Sequence, residues 1–197
     1  MSVNLSDDAL LSVDEFTMYR DLNADGNAKF NTDRIAFFIN QASQLVITEI
    51  GRKFRKPASP IVEVFIGKGT DYYLVANRPL IQLVGIEYHN GSAWVPFVPV
   101  SMIGDAAMGE VAIPDATLTE GTRYRVTYNF GYTIDAVPQD LKMCTAEITH
   151  RLMLKASGKE GVTSESKVDT GTTFNLADLS PLFLRVSELY GSRSLSG

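Results

Sequence analysis

Asp21-Leu22-Asn23-Ala24-Asp25-Gly26 sets oxygen-bearing side chains at alternate positions ahead of a glycine. That is how a calcium-binding loop opens, with ligand oxygens converging around a turn made by the glycine. The twelfth loop position, which should be a bidentate Glu, is Thr32. The same residues therefore also read as an interhelical loop of turn formers. A small calcium-binding module with Asp21, Asn23 and Asp25 as ligands is kept only as an alternative. Glu147 and His150 have the Glu-x-x-His spacing of carboxylate di-iron bundles. Such a centre needs a second pair on a facing helix, and the other histidine, His89, falls in an expected hairpin. Ser164 and Lys167 have the Ser-x-x-Lys spacing of some acyl-transfer enzymes, but in a polar Gly/Ser/Thr tract with no second motif. Cys144 falls on an apolar helix stripe and reads as a small core residue. Gly67-Lys68-Gly69 is too short for a phosphate loop and lies between two strand patterns. No set of nucleophile, base and orienting group is left. No catalytic, cofactor-binding or metal-ligating residue is assigned, and the chain is not expected to be an enzyme.

Composition points the same way. In 197 residues there are one Cys and two His, which excludes an internal disulfide framework and a multi-Cys zinc site. Lys and Arg number 18 against 23 Asp and Glu, a net charge of −5 that argues against a broad basic face for nucleic acid. The one basic cluster is Arg52, Lys53, Arg55 and Lys56, placed to complement a helix C-terminus. Tyr72, Tyr73, Tyr88, Trp94, Tyr124, Tyr128 and Phe130 read as sheet core and cross-strand pairs rather than a base-stacking platform. No apolar run approaches the roughly 20 residues of a membrane helix. The polar, acidic start at Met1–Asp8 is not a secretory signal.

The elements that would position these residues follow from periodicity. Ser12 and Glu15 form a capping box, with Leu11 and Phe16 placed as a hydrophobic staple, for a short helix ending near Leu22. A second helix starts at Asn31 or Thr32. Ile35, Phe38, Ile39, Ala42, Leu45, Val46 and Ile50 make its apolar face, and it ends at Gly51 or Phe54. From residue 61 the period falls to two. Strands are expected at 61–66, 72–75, 81–88, 94–98, 109–113 and 123–130, about six in a small sandwich or barrel-like sheet. Gly67-Lys68-Gly69 and Asn90-Gly91 are read as hairpin turns, the latter as a two-residue type I′ turn. Pro138 fits the first position of a helix carrying Leu141, Cys144, Ile148 and Leu152, which ends near Ser157. Residues 158–173 read as a mobile tract. Ser180 and Pro181 start a last helix, with Leu182, Phe183, Val186, Leu189 and Tyr190 on one side and Gly191 past its end.

Two stretches are more specific. One is Leu10-Leu11-Ser12-Val13-Asp14-Glu15-Phe16, followed by Ile35, Ile39, Ala42-Ser43 and Gly51-Arg52-Lys53-Phe54. The other is Val126-Thr127-Tyr128-Asn129-Phe130-Gly131-Tyr132, followed by Val137-Pro138-Gln139-Asp140-Leu141. Together they resemble the head–tail connector (adaptor, or head-completion) proteins of tailed bacteriophages and gene transfer agents. The resemblance spans nearly the whole chain by element order. Gly131, Tyr132, Pro138, Asp140 and Leu141 are its motif positions, with structural roles.

The resemblance implies an α+β fold, with a helical frame of about four helices and an inserted small antiparallel β domain. The divisions would be a helical pair (1–57), the insertion (58–132), a long helix (133–157) and a tract with a C-terminal helix (158–197). It implies a ring, usually dodecameric, under the portal of a capsid. The ring extends the DNA channel and offers a platform for the next neck or tail-completion protein. Leu182, Phe183, Val186, Leu189 and Tyr190 would dock on the portal, unless that helix packs on its own domain. Lys68 and Asn90, as hairpin tips, would face the tail. DNA would pass without sequence-specific contact. No membrane and no cofactor is implied, and the place is the virion. Another phage neck or tail-completion protein is the main alternative.

Overall fold

The computed structural model describes residues 3–20, 31–97, 101–156, 180 and 182–191. The loop at Asp21, Asn23 and Asp25, the Ser164/Lys167 pair, Pro181 and the tract 158–173 lie outside the described residues. The fold is α+β, with four helices and two antiparallel sheets among the described residues. The chain divides into two compact units, Met1–Arg52 with Ile134–Gly197, and Lys53–Thr133.

The first unit is helical. α1 (Val13–Arg20) starts on the expected capping box: Glu15 N donates to Ser12 Oγ (3.1 Å) and Ser12 N donates to Glu15 Oε2 (2.9 Å). Leu11 and Phe16 are fully buried in one cluster with Ile35, Phe38 and Ile39. α2 (Thr32–Ile50) is capped by Asn31, whose side chain accepts from Arg34 N at 3.0 Å. It ends at Gly51 rather than Phe54. Gly51 takes φ 77°, a left-handed conformation open to glycine, and its N–H bonds to Ile47 O. Asn31→Ala should lower the stability of this unit by about 1 kcal/mol, read as a lower helical melting temperature.

α3 (Gln139–Ala156) buries Leu141, Cys144, Ile148 and Met153. Its two buried threonines satisfy their hydroxyls on the helix itself: Thr145 donates to Leu141 O and Thr149 to Thr145 O. Pro138 stands one place earlier than expected, as the residue whose carbonyl accepts from Lys142 N at 3.1 Å. α4 (Leu182–Tyr190) is capped by Ser180, with Leu182 N donating to Ser180 Oγ at 3.2 Å.

The second unit holds β1 (Ile61–Ile66), β2 (Tyr72–Leu74), β3 (Leu80–His89), β4 (Trp94–Pro96), β5 (Met102–Ile103), β6 (Glu110–Ala112) and β7 (Arg123–Phe130). Their order is β1-β7-β3-β4 in one sheet and β2-β6-β5 in the other. One core serves both, with Ile86, Tyr124, Val126, Tyr128 and Phe130 from the large sheet and Val111 from the small. β7 alternates as its sequence demands: Tyr124, Val126, Tyr128 and Phe130 are buried, while Arg123, Arg125, Thr127 and Asn129 take the other face.

Three expectations are corrected here. Gly67-Lys68-Gly69 is not a hairpin turn, because β1 pairs with β7 and β2 with β6. The segment instead crosses between sheets, tied to the approach to β7: Gly67 N donates to Thr122 O and Gly69 N to Leu118 O, each at 2.8 Å. Asn90-Gly91 does close the β3–β4 hairpin, but in a four-residue loop flanked by the pair His89↔Trp94. There Asn90 Oδ1 accepts from Ser92 N and Ala93 N, so the side chain caps the loop. The strand total rises to seven among the described residues because β5, two residues long, is too short to carry a period.

Candidate assembly surfaces

Gly131 and Tyr132 form a joint of the backbone. Gly131 (φ 87°) leaves β7 under close constraint, since a Cβ there would lie 2.6 Å from Phe54 O and 2.8 Å from Arg55 C. Its N–H donates to Pro79 O at 2.9 Å. Tyr132 then forms a parallel bridge with Arg55, its N–H donating to Phe54 O and its carbonyl accepting from Lys56 N. Arg55 and Lys56 of the basic cluster thus serve this joint through their backbone. Leu141 is fully buried, and Asp140 Oδ1 accepts from Leu141 N and from Tyr190 Oη, both at 2.9 Å.

That last bond splits the proposed portal-docking set. Phe183 and Val186 are buried in the first unit, and Tyr190 is held by Asp140 with the Arg52 guanidinium 5.5 Å from its ring centre. Leu182 is half-buried. Leu189 faces outward, 59% exposed, as does Leu184, which the periodic reading did not single out. Near the start of α4, Ser180 Oγ donates to Glu147 Oε2 at 2.7 Å. Glu147 is therefore engaged in a helix contact, and no cluster of three or more potential metal ligands exists among the described residues. Cys144 is buried and its thiol is pushed up to about 11, chiefly by burial. It should resist a thiol reagent at pH 8 in the folded chain and react at once in denaturant, as absorbance of the released chromophore would show.

Lys68 and Asn90 are both exposed, but only Asn90 sits at a hairpin tip. Polar side chains that the motif search passed over organise both units. Lys142 is 4% exposed; its Nζ binds Glu15 Oε1 and donates to Asp135 O at 3.1 Å. Glu63 accepts from Tyr73 Oη (2.6 Å), Tyr128 Oη (2.7 Å) and Ala76 N (3.1 Å). Burial, then the Glu63 carboxylate, raises both phenol pKa values, so the tyrosines stay neutral donors. The signal for Glu63 was its parity with Ile61 and Phe65 on the inner face of β1.

The outer face of the large sheet is different in kind. The register sets Ile66 beside Arg123, Arg125 between Val64 and Glu87, and Thr127 between Val62 and Gly85. Arg125 forms a two-point pair with Glu87, whose carboxyl is held below its ordinary pKa by that bond. The same guanidinium lies 4.9 Å from the Trp94 ring centre, and Arg123 lies 6.0 Å from it.

No protein-family model and no curated protein matches the chain. Solved structures do. A chain from the neck of an empty gene transfer agent particle, computed with C6 symmetry, superposes with a TM-score of 0.60 at 15% identity, covering 100% of this chain and 97% of that one. A chain from the virion of a native gene transfer agent particle gives 0.63 at 14% identity, over 99% and 96%. One from the neck of a native particle, computed with C12 symmetry, gives 0.53 at 14%, over 100% and 99%. The chain shares their fold from end to end.

Proposed function

We propose that this chain is a structural subunit of a particle neck, a head–tail connector that forms a ring beneath a portal. The supporting observation is a fold shared over nearly its full length with chains of gene transfer agent necks, two of them in assemblies computed with C6 and C12 symmetry. In this reading the protein works by binding, without catalysis, in the virion of a tailed phage or a phage-derived particle. The ring, taken as dodecameric, extends the DNA channel, and a net charge of −5 suits a passage through which DNA slides. α4 is the portal-facing element. Its Leu189 is accessible and its Leu182 half-buried, whereas Phe183, Val186 and Tyr190 would become available only if the helix left its own unit. Asn90, at the β3–β4 tip, is the better of the two tail-side candidates, and Lys68 contributes from an exposed crossing loop. Another neck or tail-completion protein is the competing assignment.

The test is electron microscopy of the purified chain mixed with the portal of the same particle. The expected result is a ring stacked coaxially on the portal. A chain that stays monomeric and ignores the portal at high concentration overturns the reading, and one that binds the tail end instead favours the alternative.

A further inference from the structure

β1 is an edge strand, paired among the described residues only with β7, and its outer face lacks the lysine or proline that often blunts an edge. Its outward residues are Val62, Val64 and Ile66, 57%, 51% and 60% exposed, with no lysine or proline among them. Beside them Arg125 is neutralised by Glu87, whereas exposed Arg123 meets only the Trp94 ring and no carboxylate among the described residues. The face is thus apolar along one side, with a cation next to Ile66 that no described carboxylate compensates.

The chain carries a counterpart. α1 presents Asp14 and Met18 at i and i+4, on one side of the helix, with Tyr19 adjacent. Met18 is 82% exposed, and Asp14 is exposed with no ion pair among the described residues. A closed ring needs two different, mutually complementary patches on every subunit, because its contacts run head to tail. An apolar face with a spare cation and an apolar helix side with a spare carboxylate meet that requirement.

We infer that the outer face of the β1-β7-β3-β4 sheet receives α1 of a second copy, Val62, Val64 and Ile66 covering Met18 and Tyr19 while Arg123 pairs with Asp14. The inference rests on the ring reading above and assigns its subunit contact. The apolar part supplies the burial, and the charge pair fixes the register.

The experiment uses full-length Met18→Cys and Val64→Cys proteins. Both sites are exposed, so both variants should melt like the parent, and the only native cysteine, Cys144, is buried. Each is incubated alone and mixed with the other, with and without portal, treated with a short flexible bis-maleimide and run on a denaturing gel. The expected result is a cross-linked dimer in the mixture and none in either protein alone. Arg123→Glu should weaken assembly by about tenfold or more, measured by native mass spectrometry, and adding Asp14→Arg should restore it. If the parent assembles but the mixture gives no dimer and Arg123→Glu assembles normally, this contact is wrong while the ring stands. If the parent forms no assembly with or without portal, the ring reading and the contact fall together.

Discussion

Gly131→Ala should destabilise the β unit by roughly 2–5 kcal/mol, the sum of a left-handed backbone penalty and forced overpacking. The two costs can be separated. Gly131 has φ 87° and an added Cβ would stand 2.6 Å from Phe54 O, 2.8 Å from Arg55 C and 2.9 Å from Lys56 N. These are backbone atoms, held by the Arg55–Tyr132 bridge, so they cannot swing aside as a side-chain tip could. Gly69 has a similar φ of 74° and open space around it. Gly69→Ala therefore carries the backbone penalty alone, about 1–2 kcal/mol. Trp94 is the single tryptophan and lies in this unit, so urea unfolding followed by its fluorescence reads both variants. Equal losses for the two would mean that the strand exit is looser than its geometry implies.

Glu15→Ala should cost the helical unit roughly 3–5 kcal/mol, the penalty of stranding a buried charge. Lys142 is 4% exposed and among the described residues would keep only Asp135 O as a partner of its ammonium, while the capping box at Ser12 is lost in the same step. Lys142→Met should cost less, under about 2 kcal/mol, because Glu15 is 28% exposed and retains Ser12. The order of the two losses, taken from helical circular dichroism in urea, is the diagnostic. If Lys142→Met proves as damaging as Glu15→Ala, the burial of the ammonium is not what sets the cost.

The same pair sets an acid limit. Partial burial alone pushes the Glu15 carboxyl up, but hydrogen bonds from Lys142 and Ser12, with the Lys142 charge, outweigh it and hold the carboxyl below its ordinary 4.5. A depressed folded value means that the unfolded chain takes up the proton first. The contribution is then complete above pH 4.5 and is lost as pH falls through the lower, folded value. In Glu15→Gln this acid-side decline should flatten.

Much of the local structure was legible because its causes are local. The Ser12/Glu15 box is completed within one helical turn of its own residues, and the start of α2 at Asn31 or Thr32 and its end at Gly51 or Phe54 were legible to within a few residues. β7 declared itself through eight residues of clean alternation, and α3 through a stripe at helical spacing. The outer limits of the candidate site were legible too. One Cys, two His and a modest negative charge left few ways to build a reactive centre. They left ample apolar and turn residues for interfaces.

What periodicity could not decide was partnership. It finds a strand at 61–66 and another at 72–75 but says nothing of which edge each will meet, so Gly67-Lys68-Gly69 reads as a turn in sequence and is a crossing between sheets in the fold. The five apolar residues of α4 form one set by spacing, yet Phe183 and Val186 face inward and Leu189 outward, because Tyr190 is fastened to Asp140 and Ser180 to Glu147, 50 and 33 residues away. Lys142 and Glu63 show the same rule for charge. Each is an ordinary polar residue in sequence, and Lys142 becomes a buried strut and Glu63 a half-buried one because distant elements bring them their partners. The sequence by itself determined the four helices, six of the seven described strands and the Ser12/Glu15 box, since these depend on neighbours a few residues apart. Only the tertiary structure decided which faces are spent on the chain's own core and which, like Val62, Val64 and Ile66, are left over for another molecule, since burial is a property of long-range packing.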